Sequence, residues 1–139
     1  MNSLLSGQRI LVVEDEMLVA WMLADLLAEL GCVVVGPVAR VDQALTAIGE
    51  DSVDAAVLDI NLNGQTSYPV ADALAARGVP FVFSTGYARD RLSKDYGDVP
   101  VLQKPLSGAE LRDSLATMLG LRTPDRPPPT GEAPSAPDA

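Results

Sequence analysis

Five polar residues that could bind a metal or a phosphoryl group each stand at the end of a short apolar run. Glu14 and Asp15 end the first run, and Asp59 ends the third. Thr85 ends the fourth run and Lys104 the fifth. Carboxylates brought within about 4 Å repel one another by roughly 1 to 4 kcal/mol per pair, so their cluster would need a cation. Oxygen ligands suit Mg²⁺, which leaves positions for phosphate oxygens, and the residue types therefore predict a magnesium site for phosphate chemistry.

These residue types fit transfer of a phosphoryl group to a carboxylate. Asp59, on the predicted central strand, could attack a phosphoryl donor without a general base, because it is already ionised, and form an acyl phosphate. Such a transfer needs mainly positioning and electrostatic stabilisation, which Lys104 could supply as a cation and Thr85 as a hydroxyl donor. Taken singly, each residue also has a structural explanation, such as an acidic helix start or a turn aspartate. Their joint placement at strand ends favours the chemical interpretation.

The elements that would position these residues alternate along the chain. Short apolar runs predict strands over residues 9–13, 32–38, 55–58, 79–84 and 101–103. Apolar residues at helical spacing predict helices over residues 17–30, 41–48 and 69–77 and a last helix that is capped by Ser107 and ends near Gly120. A weak, polar helix is also predicted at 89–96. We therefore expect one doubly wound, flavodoxin-like α/β domain, with a five-stranded parallel sheet of order 2-1-3-4-5 and helices on both faces. In that order the polar strand ends meet at one edge of the sheet.

Composition narrows the class of protein. The 139 residues allow one domain over residues 7–121, and the Pro- and Ala-rich stretch 122–139 is predicted to be a disordered tail. The formal charge of -9 argues against direct binding to nucleic acid or to an anionic membrane. The chain has no histidine, and Cys32 is its one cysteine, which excludes histidine-based catalysis and zinc sites within it. The sequence shows no signal-like start and no apolar run that could span a bilayer, so we expect a cytoplasmic protein.

The sequence resembles the receiver domains of two-component response regulators over about residues 9–121. Four runs carry the resemblance in the expected order and at suitable spacing: ILVVEDE, AAVLDINL, FVFSTGY and VLQKPL. The third run is similar to the Phe-Ala-Thr-Gly-Tyr motif of single-domain and stress-signalling regulators, with Ser84 in place of the alanine. The resemblance implies a phosphorylation-dependent signalling switch that is not an enzyme, apart from promoting its own phosphorylation and dephosphorylation.

The resemblance also implies a role for each polar residue. Asp59 would be the phosphoacceptor, and Mg²⁺ would be the cofactor. Thr85 and Lys104 would contact the phosphoryl group. The metal ligands that the resemblance implies are Glu14, Asp15, Asp59 and the main-chain carbonyl of Asn61.

The same resemblance implies the partners of the protein. A sensor histidine kinase or a phosphotransfer protein would donate the phosphoryl group, and an unidentified downstream protein would respond through direct contact, onward phosphotransfer or dimerisation of the receiver.

The sequence departs from the family pattern at two places. Val101 stands where many receivers carry an aromatic switch residue. Tyr87 could replace that ring or could simply pack on a neighbouring helix. The segment after Asp59 reads INLNG, without the proline common there, and predicts a turn.

Two other functional classes would use similar residues. A phosphatase for small substrates could use Asp59 as its nucleophile, but the sequence has no substrate-sized insertion and no second acid at the spacing that aspartate-based phosphatases use. A receiver-like interaction module that is never phosphorylated would be expected to have lost one of the five polar residues. The phosphorylation switch is therefore the preferred hypothesis.

Overall fold

The computed structural model describes residues 5–50, 52–62, 64–86 and 99–121. Its strands are β1 (Arg9–Val13), β2 (Val33–Val38), β3 (Ala55–Asp59), β4 (Asn61–Leu62), β5 (Gln65–Thr66), β6 (Phe81–Thr85) and β7 (Val101–Gln103). Its helices are α1 (Met17–Glu29), α2 (Val41–Glu50), α3 (Tyr68–Ala76) and α4 (Gly108–Met118). The predicted polar helix at 89–96, the ring of Tyr87 and the tail 122–139 lie outside the described residues. Among the described helices, none is long and apolar enough to cross a membrane.

One parallel sheet carries the fold. Its five strands have the order β2-β1-β3-β6-β7, which confirms the predicted order because β6 and β7 are the fourth and fifth strands of this sheet along the chain. The register places Val13 beside Leu58 and Asp59 beside Ser84, so the carboxyl ends of the strands line up at one edge. β3 and β6 each run one residue past their predicted ends, and Asp59 and Thr85 are therefore the last residues of their strands.

Two apolar layers cover the sheet. On one face Leu11 and Phe83 pack with side chains of α2 and α3, and on the other face Ile10 and Val57 pack with side chains of α1 and α4. Because both faces are covered, β1, β3 and β6 are almost continuous runs of buried residues. The strand ends are thus held between two packed layers, which gives the polar edge a rigid base.

Two strands begin later than predicted, for identifiable reasons. β2 begins at Val33 because the amide of Cys32 donates to the carbonyl of Leu27 instead (3.0 Å) and closes the end of α1. β6 begins at Phe81, after Pro80, which has no N–H to contribute to the sheet. Neither difference moves a residue at the polar edge.

A bulge in β2 shapes the end of β1. Leu11 pairs with Val35 and Val13 pairs with Val38, so β2 contains one residue more than β1 in this interval. Gly36 takes up the extra residue with a φ of 95°, a conformation that side chains rarely adopt. Beyond the bulge, the amide of Glu14 donates to the carbonyl of Val38 (2.9 Å). The bulge therefore fixes the main chain at the first carboxylate of the polar edge.

The predicted turn after Asp59 is a short hairpin. β4 and β5 pair antiparallel, with Asn61 opposite Thr66 and Leu62 opposite Gln65. The two residues between them in the sequence are Asn-Gly, a strong hairpin signal. The flanking strands are only two residues long, too short to show the alternation of apolar and polar residues that predicts a strand.

Candidate functional site

Three carboxylates meet at the carboxyl edge of the sheet. Glu14 and Asp15 follow β1, Asp59 ends β3, and one oxygen atom from each of the three lies within 4.8 Å of the others. Glu14 is 2% exposed and Asp59 8% exposed, whereas Asp15 is partly exposed. Burial removes most of the water that would otherwise screen this negative charge, so the cluster needs a cationic partner.

Lys104 provides positive charge inside the cluster. Its Nζ atom lies 2.6 Å from Oε1 of Glu14 and donates a hydrogen bond to Oδ2 of Asp59 at 3.2 Å. The amide of Lys104 also donates to the carbonyl of Thr85 at 2.7 Å, which joins the end of β7 to the end of β6. The ammonium group therefore bridges two of the three carboxylates. The sequence placed Lys104 at this edge but gave no sign of the ion pair with Glu14.

Burial and charge act in opposite directions on these groups. Burial raises the pKa of Glu14 from 4.5 to about 7, the charge of Asp59 adds to the rise, and hydrogen bonds from Lys104 and from the Glu16 amide oppose it. Burial also works to lower the pKa of Lys104, but the two carboxylates outweigh it and raise that pKa above its usual value. Lys104 is therefore a cation at neutral pH, while Glu14 binds a proton more readily than an exposed glutamate does.

The remaining polar groups of the edge belong to β6 and to the residues that follow Asp59. Thr85 is buried at the end of β6, next to β3. The amide of Ile60 donates to the carbonyl of Ser84, also in β6, at 3.3 Å. The amide of Asn61 donates to Oδ1 of Asp59 at 3.4 Å. The main chain thus folds tightly around the Asp59 carboxylate and holds it at the centre of the edge.

The donor set fits a hard divalent cation. The ligand atoms that Glu14, Asp15 and Asp59 bring together are carboxylate oxygens, which Mg²⁺ and Ca²⁺ prefer. Cys32 does not compete for a metal, because it is buried in the layer with α1 and α4 and its pKa is raised to about 11 by burial. Mg²⁺ in particular keeps several water ligands and therefore needs only a few protein oxygens.

A family comparison agrees with this arrangement. The family model of the response regulator receiver domain matches residues 10–116. The chain belongs to this family. Receiver domains are signalling switches of two-component systems rather than classical enzymes, and they act together with histidine kinases or phosphotransfer proteins. No protein among those with curated descriptions matches the sequence.

Solved structures of receiver domains resemble the fold. The solution structure of SdrG from Sphingomonas melonis Fr1 is 46% identical in sequence, covers 81% of this chain and 97% of its own, and superposes with a TM-score of 0.74. A BeF3-activated conformation of SdrG from Pseudomonas melonis Fr1, also 46% identical, covers 86% and 99% with a TM-score of 0.70.

Two more distant receiver domains extend the comparison. The response regulator REC domain of PhyR from Erythrobacter litoralis is 27% identical, covers 87% of this chain and 97% of its own, and gives a TM-score of 0.73. The receiver domain of the sensor histidine kinase PA1611 from Pseudomonas aeruginosa PAO1 is 29% identical, covers 83% and 99%, and gives a TM-score of 0.71. That crystal structure has a magnesium ion coordinated in the active site cleft.

Exposed apolar side chains adjoin the site on α1. Leu23 and other residues of the inner face are buried, but four large apolar residues of the outer face are each more than half exposed: Met17, Leu18, Trp21 and Met22. Beside them, a cavity of about 340 Å³ lies between α1 and residues 104–106. The sequence showed the apolar residues of this helix but not which of them stay uncovered, because apolar residues occur on all of its sides.

Proposed function

We propose that this receiver domain is switched by phosphorylation of Asp59, with Mg²⁺ bound by Glu14, Asp15, Asp59 and the main-chain carbonyl of Asn61. The observation that carries the proposal is the position of the Asp59 carboxylate, which shares one pocket with two other carboxylates and the ammonium group of Lys104. A nucleophile, a metal-binding oxygen set and a cation for the incoming phosphoryl group are therefore adjacent.

The reaction needs no proton transfer at Asp59. One carboxylate oxygen attacks phosphorus, the new P–O bond forms an acyl phosphate, and the bond from phosphorus to the donor breaks with its electron pair leaving on the donor. The buried setting of Asp59 keeps bulk water away from the acceptor oxygen. The amide of Asn61, which donates to Oδ1, holds the carboxylate in one orientation for this attack.

Charge compensation is divided among several groups. A bound Mg²⁺ would neutralise negative charge on the phosphoryl oxygens. Lys104, whose Nζ atom already lies 3.2 Å from Oδ2 of Asp59, would form an ion pair with the phosphoryl group on that side chain. Thr85 would donate a hydrogen bond to the phosphoryl group from its hydroxyl. Because the Lys104 amide donates to the Thr85 carbonyl, a shift of either residue is passed to the other. This coupling supports a change of surface at β6 and β7 as the signal.

The donor would be a histidine kinase or a phosphotransfer protein, in which a P–N bond is broken. Such a partner has to bring its phosphohistidine to Asp59, so its contact surface must border the pocket, where the outer face of α1 lies. We place the protein in the cytoplasm, where kinases of this type are phosphorylated by ATP. The receiver unit is proposed to span residues 7–121, with 122–139 as a separate segment.

Intact-mass measurement tests the proposal. After incubation with acetyl phosphate and Mg²⁺, the wild-type protein should gain the mass of one phosphoryl group, and it should gain none when EDTA replaces the metal. Asp59→Asn should abolish the gain. Asp54→Asn is the matched control and should still gain the phosphoryl mass. Asp54 directly precedes the first residue of β3, at the end of the strand opposite to Asp59, where it accepts a hydrogen bond from the Arg9 amide.

Two outcomes would contradict the proposal. Repeated turnover of a small phosphoester without a stable adduct would show a hydrolase, in which Asp59 acts as a nucleophile that releases its phosphoryl group to water in each cycle. Absence of any adduct with Mg²⁺ present would show an interaction module that is not phosphorylated.

A further inference from the structure

We infer that Lys104 competes with the divalent cation for Glu14: its ammonium group has to leave this carboxylate when the metal binds, and Lys104 thereby sets the affinity of the site for its metal. The inference rests on the proposed function, because it concerns the metal of that site. In the proposed function Lys104 serves the phosphoryl group, whereas the competition gives the same ammonium group a role before any phosphoryl group arrives.

Both carboxylate oxygens of Glu14 already have a partner. Oε2 accepts a hydrogen bond from the amide of Glu16 at 3.0 Å, and Oε1 lies 2.6 Å from Nζ of Lys104. The side chain of Glu14 is only 1% exposed, so the carboxylate has almost no surface left for a further ligand. A metal ion that binds Glu14 therefore meets one of these two partners at the oxygen that it takes.

Electrostatics identifies Lys104 as the partner that leaves. A divalent cation and an ammonium group on one carboxylate oxygen repel each other twice as strongly as two unit charges at that separation, and burial leaves little water to screen them. The amide of Glu16 carries no net charge. It is also fixed in the main chain, because Glu16 is the N-cap residue of α1 and its carbonyl accepts from the amide of Ala20 at 2.9 Å.

Lys104 can leave Glu14 without leaving the pocket. Its main chain is anchored by the hydrogen bond from its amide to the carbonyl of Thr85, so the motion is confined to a flexible side chain. Nζ also donates to Oδ2 of Asp59 at 3.2 Å, and this acceptor stays within reach. The cavity of about 340 Å³ between α1 and residues 104–106 borders Lys104 and gives the side chain room to turn. The exchange is thus a rotation of one side chain.

Release from Glu14 changes what Lys104 contacts. In the metal-free pocket the ammonium group is shared between two carboxylates, and its closer contact is with Glu14 at 2.6 Å and not with Asp59 at 3.2 Å. When Glu14 is taken by a metal ion, Asp59 is the acceptor that remains to Lys104 from this pair. Lys104 is therefore directed to the proposed phosphoacceptor in the metal-bound protein and is held back from it in the metal-free protein.

Titrations with Mg²⁺ test the inference. Binding is followed by the fluorescence of Trp21, the one tryptophan of the chain, which lines a small cavity with Glu14 and Asp15. Lys104→Met removes the ammonium group and should tighten Mg²⁺ binding by roughly tenfold. In a Glu14→Gln background, which itself binds the metal more weakly, the same substitution should tighten binding by less than about threefold, because the carboxylate for which the two cations compete is gone.

Arg77→Gln controls for the loss of one positive charge. Arg77 is exposed and closes α3 at the end of the helix away from the polar edge, so its replacement should leave Mg²⁺ affinity unchanged. Equal tightening by Lys104→Met in the wild-type and Glu14→Gln backgrounds would contradict the inference, because Lys104 would then act through the total charge of the pocket and not through Glu14. Unchanged affinity in the wild-type background would contradict it as well.

Crystal structures of the wild-type protein with and without Mg²⁺ give a second readout that depends on no variant. With the metal bound, the distance from Nζ of Lys104 to Oε1 of Glu14 should exceed about 3.5 Å, beyond hydrogen-bond reach, while Nζ stays in contact with Asp59. A Lys104 that keeps its 2.6 Å contact with Glu14 beside the bound metal would overturn the inference and leave the proposed metal site intact. If the wild-type protein binds no Mg²⁺ at all, the metal site of the proposed function is itself wrong, and the inference falls with it.

Discussion

At the scale of single residues, Glu14 belongs to the same buried cluster as the acceptor Asp59. Glu14 is almost fully buried, contacts Lys104 at 2.6 Å and has a raised pKa. Its protonation is therefore coupled to the charge of the whole cluster. The chain contains no histidine, so few other groups titrate between pH 5 and 8.

The raised pKa of Glu14 predicts a pH dependence of stability. The folded protein holds this proton with a pKa of about 7, against 4.5 for the ordinary group, so the native state binds more protons between these values. The resulting stabilisation is fully present below pH 4.5 and is lost as the pH rises through 7, with an upper bound of about 3 kcal/mol. Urea unfolding in EDTA at pH 5.5 and pH 8 should show the loss.

Glu14→Gln is the control for this prediction. The glutamine variant has no proton to release at this position, so its stability should change much less between the two pH values. An equal fall in the variant would assign the pH dependence to another group.

At the scale of elements, the bulge in β2 determines how β1 delivers Glu14. A Cβ on Gly36 would lie 2.8 Å from the amide nitrogen of Val38 and 3.2 Å from the carbonyl oxygen of Val12, and its φ of 95° is already unfavourable for a side chain. Both contacts involve main chain, so they cannot be relieved by rotating a side chain.

Gly36→Ala is therefore expected to destabilise the protein by more than about 2 kcal/mol, the combined result of left-handed strain and a steric clash. Denaturant unfolding measures the loss. Gly78→Ala has the strain without the clash and should cost only about 1 kcal/mol. Equal losses in the two variants would show that the bulge relaxes around the new methyl group.

The elements also show how much could be predicted from the sequence. The helices and the five strands of the parallel sheet lie within two residues of their predicted positions, because apolar periodicity reports burial directly, whereas β4 and β5 were predicted only as a turn. The apolar runs also showed where the strands end, and Asp59 and Lys104 at those ends predicted the position of the polar edge of the sheet. The ion pair between Lys104 and Glu14 could not be predicted, since it depends on side-chain conformations. The bulge at Gly36 depends on the pairing of two strands, which a single strand's sequence does not contain.

At the scale of the whole molecule, the acidic pocket and the surface beside it differ in character. The acidic pocket is rigidly based on the sheet, whereas the outer face of α1 exposes large apolar side chains next to it. Trp21 is 58% exposed and, together with Glu14 and Asp15, lines a small cavity, which makes it the best candidate for contact with a phosphoryl donor.

Trp21→Ala should separate two routes of phosphorylation. Because acetyl phosphate needs only the pocket, its reaction rate should remain within about twofold of wild type, whereas transfer from a histidine-phosphorylated partner protein should slow by roughly tenfold at low concentration, as for loss of an interface tryptophan. Leu45→Ala is the control, since Leu45 is 40% exposed on α2, at the opposite face of the sheet. Equal slowing of both routes by Trp21→Ala would place the effect in the pocket itself.

The central claim is that one carboxylate, that of Asp59, receives the phosphoryl group. Reduction of the phosphorylated protein with borohydride converts an acyl phosphate of aspartate into homoserine, and peptide sequencing by mass spectrometry then locates it. The account predicts homoserine at position 59 alone and only after incubation with a phosphoryl donor and Mg²⁺. Homoserine at position 15 or 54 in place of 59, or a phosphoryl group that resists borohydride, would contradict it.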